Sequence, residues 1–338
     1  MEQTRDSIGI ALLGLGTVGS GVVKALTSNA ERQKESFGGK IELCGVLVQD
    51  LSKPRSVDIH PELLFDNYKQ LSSHRRLQVV IEVMGGVEPA KTYIEEALRS
   101  KKHVITANKE LMAKHGSELL RLAKEMGVHL LYEASVGGGI PILGVLSQFL
   151  RYNKIERISG ILNGTTNFIL TKMMLESLDY ETVLAEAQAL GFAEADPTSD
   201  VEGYDSMYKL IILARLAWGV DTTPEQVIRR GITHLTSNDI AYAKEQHARW
   251  KLIASAEKFE DGTVQLTVEP RLIPEGHPLY GVMYEFNAVH LSGNLVGELT
   301  FSGRGAGEMP TSSAILEDLA YAMNHSPETI IADPVNIS

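Results

Sequence analysis

The stretch Ile8–Leu26, IGIALLGLGTVGSGVVKAL, decides the fold. Its opening, Ile8–Leu13, is an uninterrupted apolar run of strand length, as expected of a strand buried on both faces. Gly14-Leu15-Gly16-Thr17-Val18-Gly19 follows and reads G-x-G-x-x-G, and Val18–Leu26 continues with helical periodicity. Between a strand and a helix the three glycines serve different ends. Gly14 permits the tight turn, Gly16 lets the backbone approach a pyrophosphate, and Gly19 lets the helix pack on the strand. The start of the helix offers free N–H groups and the positive end of its dipole to an anion. Leu15, Thr17 and Val18 therefore join the glycines as expected cofactor-binding positions.

Working outward, short apolar runs at Ile41–Val48, Val79–Val83, Val104–Thr106 and Leu130–Glu133 alternate with helical patterns at Ala90–Leu98 and Ser117–Glu125. Such alternation predicts a parallel sheet covered on both faces. The pattern changes near Gly137. Helices are expected from Ile140 to Trp250, including Glu181–Leu190, Tyr204–Trp218 and Pro224–Gly231. Strand-like runs follow: Leu252–Phe259 and Val264–Pro270, joined by Glu260-Asp261-Gly262, then Ala288–Leu291 and Leu295–Phe301. Asp-Gly between such runs is a hairpin signal. A last helix is expected at Thr311–Met323. The fold class is α/β: an N-terminal Rossmann-type doubly wound parallel sheet with a second α+β substrate and dimerisation domain. The expected boundaries are 1–136 for dinucleotide binding, 137–304 for substrate binding and dimerisation, and 305–338 for a helix returning to the first domain plus a tail.

The 338 residues carry a formal net charge of −11. That balance argues against a nucleic-acid partner, which needs a basic patch. No apolar run approaches the roughly 20 residues that span a bilayer, and Met1–Ser7 is polar rather than a secretory signal. The expectation is a cytoplasmic protein with no membrane partner. The one cysteine, Cys44, lies in an apolar run and reads as core filler. The histidines are scattered without metal-ligand spacing and read as surface or core residues.

Glu194–Asp205, EADPTSDVEGYD, is crowded with carboxylates and precedes a strongly apolar helix. Asp205 and Lys209 are four apart and share one helical face, which continues through Ile212, Leu213 and Leu216. Two charges heading the core-facing stripe should point inward, and buried charge is costly unless paired or used. A lysine held in that way can move a proton near neutral pH. At the cofactor's other end the acidic residue expected after the second strand is delayed to Asp50. Asp50 favours a ribose hydroxyl and NAD, whereas Lys53 and Arg55 favour a 2′-phosphate and NADP, and both remain open.

Six stretches in order, Gly14–Gly21 (GLGTVGSG), Val104–Lys109 (VITANK), Glu133–Pro141 (EASVGGGIP), Gly160–Leu170 (GILNGTTNFIL), Gly191–Lys209 (GFAEADPTSDVEGYDSMYK) and Gly303–Pro310 (GRGAGEMP), resemble the homoserine dehydrogenase family. The resemblance implies NAD(P)-dependent interconversion of L-homoserine and L-aspartate 4-semialdehyde, in threonine, methionine and isoleucine biosynthesis. It implies Lys209 and Lys109 as catalytic residues, with Lys209 favoured as proton carrier. It further implies Glu194, Asp200, Asp205, Thr165 and Gly164 around the substrate, and Gly85, Thr106, Lys109 and Gly307 around the cofactor. It also implies a monovalent cation, Na+ or K+, held by Glu133 and the carbonyls of Val136, Gly138 and Ile140. Thr165 also suits a helix cap. Two departures stand out: Arg304 where the family commonly has proline, and Gln49 where many relatives have a basic residue. Many relatives carry a C-terminal regulatory domain of the ACT type, and this sequence ends first, so threonine inhibition through such a domain is not expected.

Other readings share the glycine turn alone. Another amino-acid or semialdehyde dehydrogenase or a methyltransferase would not need GILNGTTN with the Glu194–Lys209 constellation. A nucleotide sensor would be expected to lose one of the two lysines. By family analogy the assembly is a homodimer, or a dimer of dimers, with Leu252–Phe301 as the candidate interface.

Overall fold

The computed structural model describes residues 7–28 and 30–327; the first six residues and the tail beyond 327 lie outside the described residues. The chain divides into two compact units, one of residues 7–138 with 307–327 and one of residues 139–306.

The first unit runs β1 (Ser7–Leu13), α1 (Thr17–Ser28), α2 (Ala30–Phe37), β2 (Lys40–Leu47), β3 (Leu64–Phe65), α3 (Tyr68–Ser72), β4 (Leu77–Glu82), α4 (Ala90–Arg99), β5 (His103–Thr106), α5 (Lys109–Met126) and β6 (Leu130–Leu131). Its sheet is parallel throughout, in the order β3-β2-β1-β4-β5-β6. Strand order reverses between β1 and β4, and open α/β sheets bind ligands at such a switch point, beyond the carboxyl ends of the strands. Ile8, Ile10 and Leu12 of β1 are fully buried in a core shared with Val79, Ile81 and Ile105. Each such side chain contributes about 1.5–3 kcal/mol of apolar burial. Cys44 is buried in β2, and burial pushes its thiol up to about 11, consistent with an inert core position. The sixth strand ends earlier than expected, at Leu131, because Glu133–Ser135 turns into a single 3-10 turn.

The second unit runs β7 (Ile155–Ile161), α6 (Gly164–Glu176), α7 (Tyr180–Ala189), α8 (Thr198–Val201), α9 (Tyr204–Trp218), β8 (Ile228–Arg229), α10 (Ser237–Glu245), β9 (Ala248–Lys258), β10 (Val264–Pro274), β11 (Phe286–Gly293) and β12 (Gly297–Arg304). Its sheet has the order β12-β11-β7-β9-β10-β8. Neighbours are antiparallel except β8, which runs parallel to β10. The β9–β10 hairpin closes as expected on Asp261-Gly262, with Gly262 at φ +85° and the Asp261 carboxylate accepting from the Thr263 N–H and hydroxyl.

Two expectations fail here. The helical region is broken by β7, which lies inside the sheet between β11 and β9. Ile155, Ile158 and Ile161 recur every third residue, a helix-like spacing, although the strand is buried on both faces near its end. The helix expected at Pro224–Gly231 is one 3-10 turn, Pro224–Gln226, followed by β8. There the Arg230 N–H donates to the Val268 carbonyl, so ladder pairing wins over helix continuation.

The last helix, α11 (Glu308–Asn324), belongs to the first unit. It packs on α1, where a Cβ on Gly21 would run into Ser312 and Glu308. Its Ile315 and Leu319 complete the core around β1.

Candidate active site

The glycine turn lies at the carboxyl end of β1. Gly14 has φ +103°, and a Cβ there would come within 2.9 Å of the Val83 carbonyl oxygen, so glycine is required twice over. Its N–H donates to the Leu47 carbonyl at 3.0 Å, tying the turn to β2. A Cβ on Gly19 would collide with the Gly14 carbonyl, which explains the third glycine. At Gly16 a Cβ would stand in open space, exposed at the start of α1, whose first turn holds no acidic residue. Leu15 is buried beneath the turn, and Thr17 and Val18 begin the helix. This is a cradle that fits a dinucleotide pyrophosphate: bare backbone at a helix N-terminus whose first turn carries no carboxylate.

Beyond β2, the Asp50 carboxylate accepts from the Ser52 N–H at 2.8 Å and the Ser52 hydroxyl at 2.6 Å. Those bonds hold its pKa below the ordinary value. The Arg55 guanidinium folds back onto the Asp50 carbonyl, and Lys53 is exposed on the same turn. Asp50 and Arg55 are thus built into one turn.

Across the switch point, the ends of β4 and β5 hold a residue that no sequence motif marks. Glu82 is fully buried. Its carboxylate accepts from the Met84 N–H at 2.8 Å, the Gly85 N–H at 3.3 Å and the Thr106 hydroxyl at 2.5 Å. Burial raises its pKa, and these donors oppose the rise. The one signal in the sequence is a glutamate ending an otherwise apolar strand, VVIE. Gly85 and Gly86 take φ +78° and +72°. Lys109 is the first residue of α5, half-buried, directly after the N-cap Asn108, whose side chain accepts from the Leu111 N–H at 3.1 Å. Gly307, at φ +125°, stands just before α11.

The second unit gathers charged side chains around the start of α6. Asp205 and Lys209 are 2% and 7% exposed, so both charges do point inward. Lys209 Nζ donates to Asp205 Oδ2 at 2.7 Å and to the Leu162 carbonyl at 2.7 Å. Gly203, left-handed at φ +82°, turns the chain into α9 so that Asp205 falls in its first turn. Asn163 organises the group. Its amide nitrogen donates to Asp200 Oδ1 at 2.7 Å and Asp205 Oδ2 at 2.9 Å, while its Oδ1 caps α6 through the Thr166 N–H at 2.8 Å. Asn163 is the N-cap, which corrects the expectation that Thr165 caps this helix. Thr165 instead donates its hydroxyl to the Phe192 carbonyl at 2.6 Å. Gly164 is forced by a crossing strand of backbone: a Cβ would lie 2.8 Å from the Glu285 carbonyl oxygen. The fold therefore brings Asp200, Asp205 and Lys209 together. Glu194 stays exposed on the loop after α7, its backbone carbonyl bonded to Gln188.

On the loop from Glu133 to Pro141, Glu133 opens the 3-10 turn and donates its N–H to Asp318 at 2.9 Å. Val136 is buried, Gly138 is left-handed at φ +52°, and Ile140 is buried. Among the described residues, no three His, Cys, Asp or Glu side chains cluster as metal ligands. No described helix is long and apolar enough to cross a membrane.

Comparison with known proteins agrees with both units. Residues 14–133 match the family described as homoserine dehydrogenase, NAD binding domain, and residues 141–320 match homoserine dehydrogenase itself. The chain is 49% identical over 320 residues to the homoserine dehydrogenase of Bacillus subtilis, covering 94% of this chain and 73% of the relative. A crystal structure of a homoserine dehydrogenase from Thiobacillus denitrificans superposes with a TM-score of 0.89 at 39% identity, covering 98% of this chain and 76% of that one. A hyperthermophilic archaeal homoserine dehydrogenase in complex with NADPH superposes with a TM-score of 0.78 at 27% identity, covering 94% and 97%. With both family matches, high identity and a shared fold, the chain belongs to the homoserine dehydrogenase family, NAD(P)-dependent oxidoreductases that interconvert L-homoserine and L-aspartate 4-semialdehyde.

Proposed function

We propose that Lys209 is the proton carrier of this reaction and that Asp200 and Asp205 hold it and the substrate. The observation that carries the reading is the burial of the Lys209 amine against Asp205 and the Leu162 carbonyl. The bound nicotinamide supplies a hydride acceptor in oxidation and a hydride donor in reduction. In oxidation, a neutral Lys209 amine takes the proton of the homoserine hydroxyl as the carbon–hydrogen bond breaks. In reduction, the ammonium returns that proton to the aldehyde oxygen. The carboxylates of Asp205 and Glu194 hold the substrate ammonium, and Thr165 and Gly164 line the same end of α6. Lys109 opens α5 beside the residues assigned to the cofactor, Gly85 and Thr106, and is the second catalytic lysine that the resemblance implies.

The cofactor assignment rests on Gly14–Gly19, Gly85, Thr106, Lys109 and Gly307. The archaeal relative's NADPH supports NADP as one acceptable form. The proposal includes a monovalent cation on Glu133 and the carbonyls of Val136, Gly138 and Ile140, since oxygen donors suit a hard ion. It also includes a cytoplasmic homodimer or dimer of dimers.

The test is homoserine-dependent reduction of NAD+ and NADP+ by wild type, Lys209→Ala and Lys109→Ala. Loss of a general acid–base residue should lower kcat by about 10²–10⁴-fold. Full turnover by Lys209→Ala refutes the assignment. Titrating Na+ and K+ in the same assay tests the cation, and sedimentation tests the assembly.

A further inference from the structure

Glu82 takes no part in the proton transfer above, yet it is a fully buried acid at the carboxyl end of β4. The groups that meet its carboxylate are donors: the Met84 and Gly85 N–H groups on Oε1 and the Thr106 hydroxyl on Oε2. A group surrounded by donors fits an ionised carboxylate, which only accepts. Thr106 Oγ1 in turn accepts from the Asn108 N–H at 3.0 Å, which commits its own proton to Glu82. The Asn108 amide donates to the Gly86 carbonyl at 2.6 Å and its Oδ1 caps α5. One carboxylate thus ties the left-handed Gly85–Gly86 turn, the end of β5 and the first turn of α5 into a closed network.

The strand order says which part of a dinucleotide lies over that network. The pyrophosphate cradle follows β1, with β2 and Asp50 on one side and β4 and β5 on the other. The adenosine half takes the β2 side in this topology, which leaves the β4–β5 side to the nicotinamide half.

We infer that Glu82 is a positioning residue for the nicotinamide half of the cofactor and for Lys109, acting through the Gly85 turn and the Thr106 hydroxyl. The part that concerns Lys109 rests on the function proposed above; the part that concerns the nicotinamide does not. Glu82→Gln keeps the shape but replaces one acceptor by an NH2 donor. That donor must face either the Met84 and Gly85 N–H groups or the Thr106 hydroxyl, with no solvent to absorb the conflict.

The experiment measures the affinity of wild type, Glu82→Gln, Thr106→Val and the double variant for NADH and for ADP-ribose, which lacks the nicotinamide. Thermal unfolding is followed in parallel. The phosphorylated pair, NADPH and 2′-phospho-ADP-ribose, is used if wild type prefers it. The expected result is NADH binding weakened about tenfold in Glu82→Gln, ADP-ribose binding changed less than twofold, and a double variant less impaired than the sum of the singles. Turnover should fall in kcat more than in KM for homoserine. Unchanged NADH binding overturns the inference. Equal weakening of both ligands, with a lower Tm, also overturns it, because that is a merely structural role. If Glu82→Gln does not fold, Thr106→Val reads the same bond from its other end. A wild type that binds NADH but does not oxidise homoserine refutes the proposed function, and the ratio of the two affinities still decides the role of Glu82.

Discussion

The Asp205–Lys209 pair should be a stability liability that activity requires. Both groups are almost fully buried, and their contact is 2.7 Å. Replacing Asp205 alone strands an ammonium among apolar side chains of α9 with the Leu162 carbonyl as an acceptor. Replacing Lys209 alone leaves a buried carboxylate beside the Asn163 amide. Removing one partner of a buried pair costs about 3–5 kcal/mol, whereas replacing both by apolar groups of similar volume is often neutral or stabilising. For a unit of this size each kcal/mol moves Tm by about 2–4 °C. Asp205→Leu and Lys209→Met should therefore each lower Tm by at least about 6 °C, and the double variant should recover most of that loss. All three should lose homoserine oxidation. Calorimetry beside the activity assay reads both. If the losses in the single variants simply add in the double, the two side chains do not compensate each other's charge and the reasoning fails.

Gly14→Ala and Gly19→Ala force a Cβ against Val83 and Gly14 backbone respectively, so both should weaken dinucleotide binding at least tenfold by titration calorimetry; unchanged binding would remove the cradle from the site. Asn163→Asp retains a good N-cap but sets a third carboxylate against Asp200 and Asp205, so KM for homoserine should rise; an unchanged KM would mean that the amide donors are not needed. Lys251 is buried and donates to Asn167 Oδ1 at 2.7 Å and the Val282 carbonyl at 2.5 Å, and among the described residues no carboxylate pairs with it. Burial, with Arg249 nearby, holds its pKa down at about 7 from an ordinary 10.5. The unfolded chain therefore binds the extra proton between those two values, and stability rises with pH across that window by up to about 1.4 kcal/mol per unit. Lys251→Met should flatten the rise in Tm between pH 7 and 9, and equal slopes in variant and wild type would exclude this proton.

What the sequence determined by itself was local. A strand, three glycines and a helix follow one another in Ile8–Leu26, and the clash that demands glycine at Gly19 arises within that turn, whereas the one at Gly14 comes from Val83 beyond β4. The inward face of α9 was equally legible, because helical periodicity carries Asp205 and Lys209 onto the apolar stripe. The tertiary structure decided whatever depends on neighbours distant in sequence. Ile155–Ile161 has a helix-like apolar spacing, and only pairing with β9 and β11 makes it a strand. The tendency of Pro224–Gly231 to continue as a helix lost to a ladder bond with β10. The capping of α6 by Asn163 is local, but its hold on the site is not, since its two carboxylate partners arrive from α8 and α9. The role of Glu82 is not legible from its place at the end of an apolar strand, because Thr106 reaches it from a different strand. The glycine turn therefore announces a dinucleotide, but the groups proposed to hold its reactive end and the substrate are assembled by packing, which brings together donors and acceptors that no spacing along the chain relates.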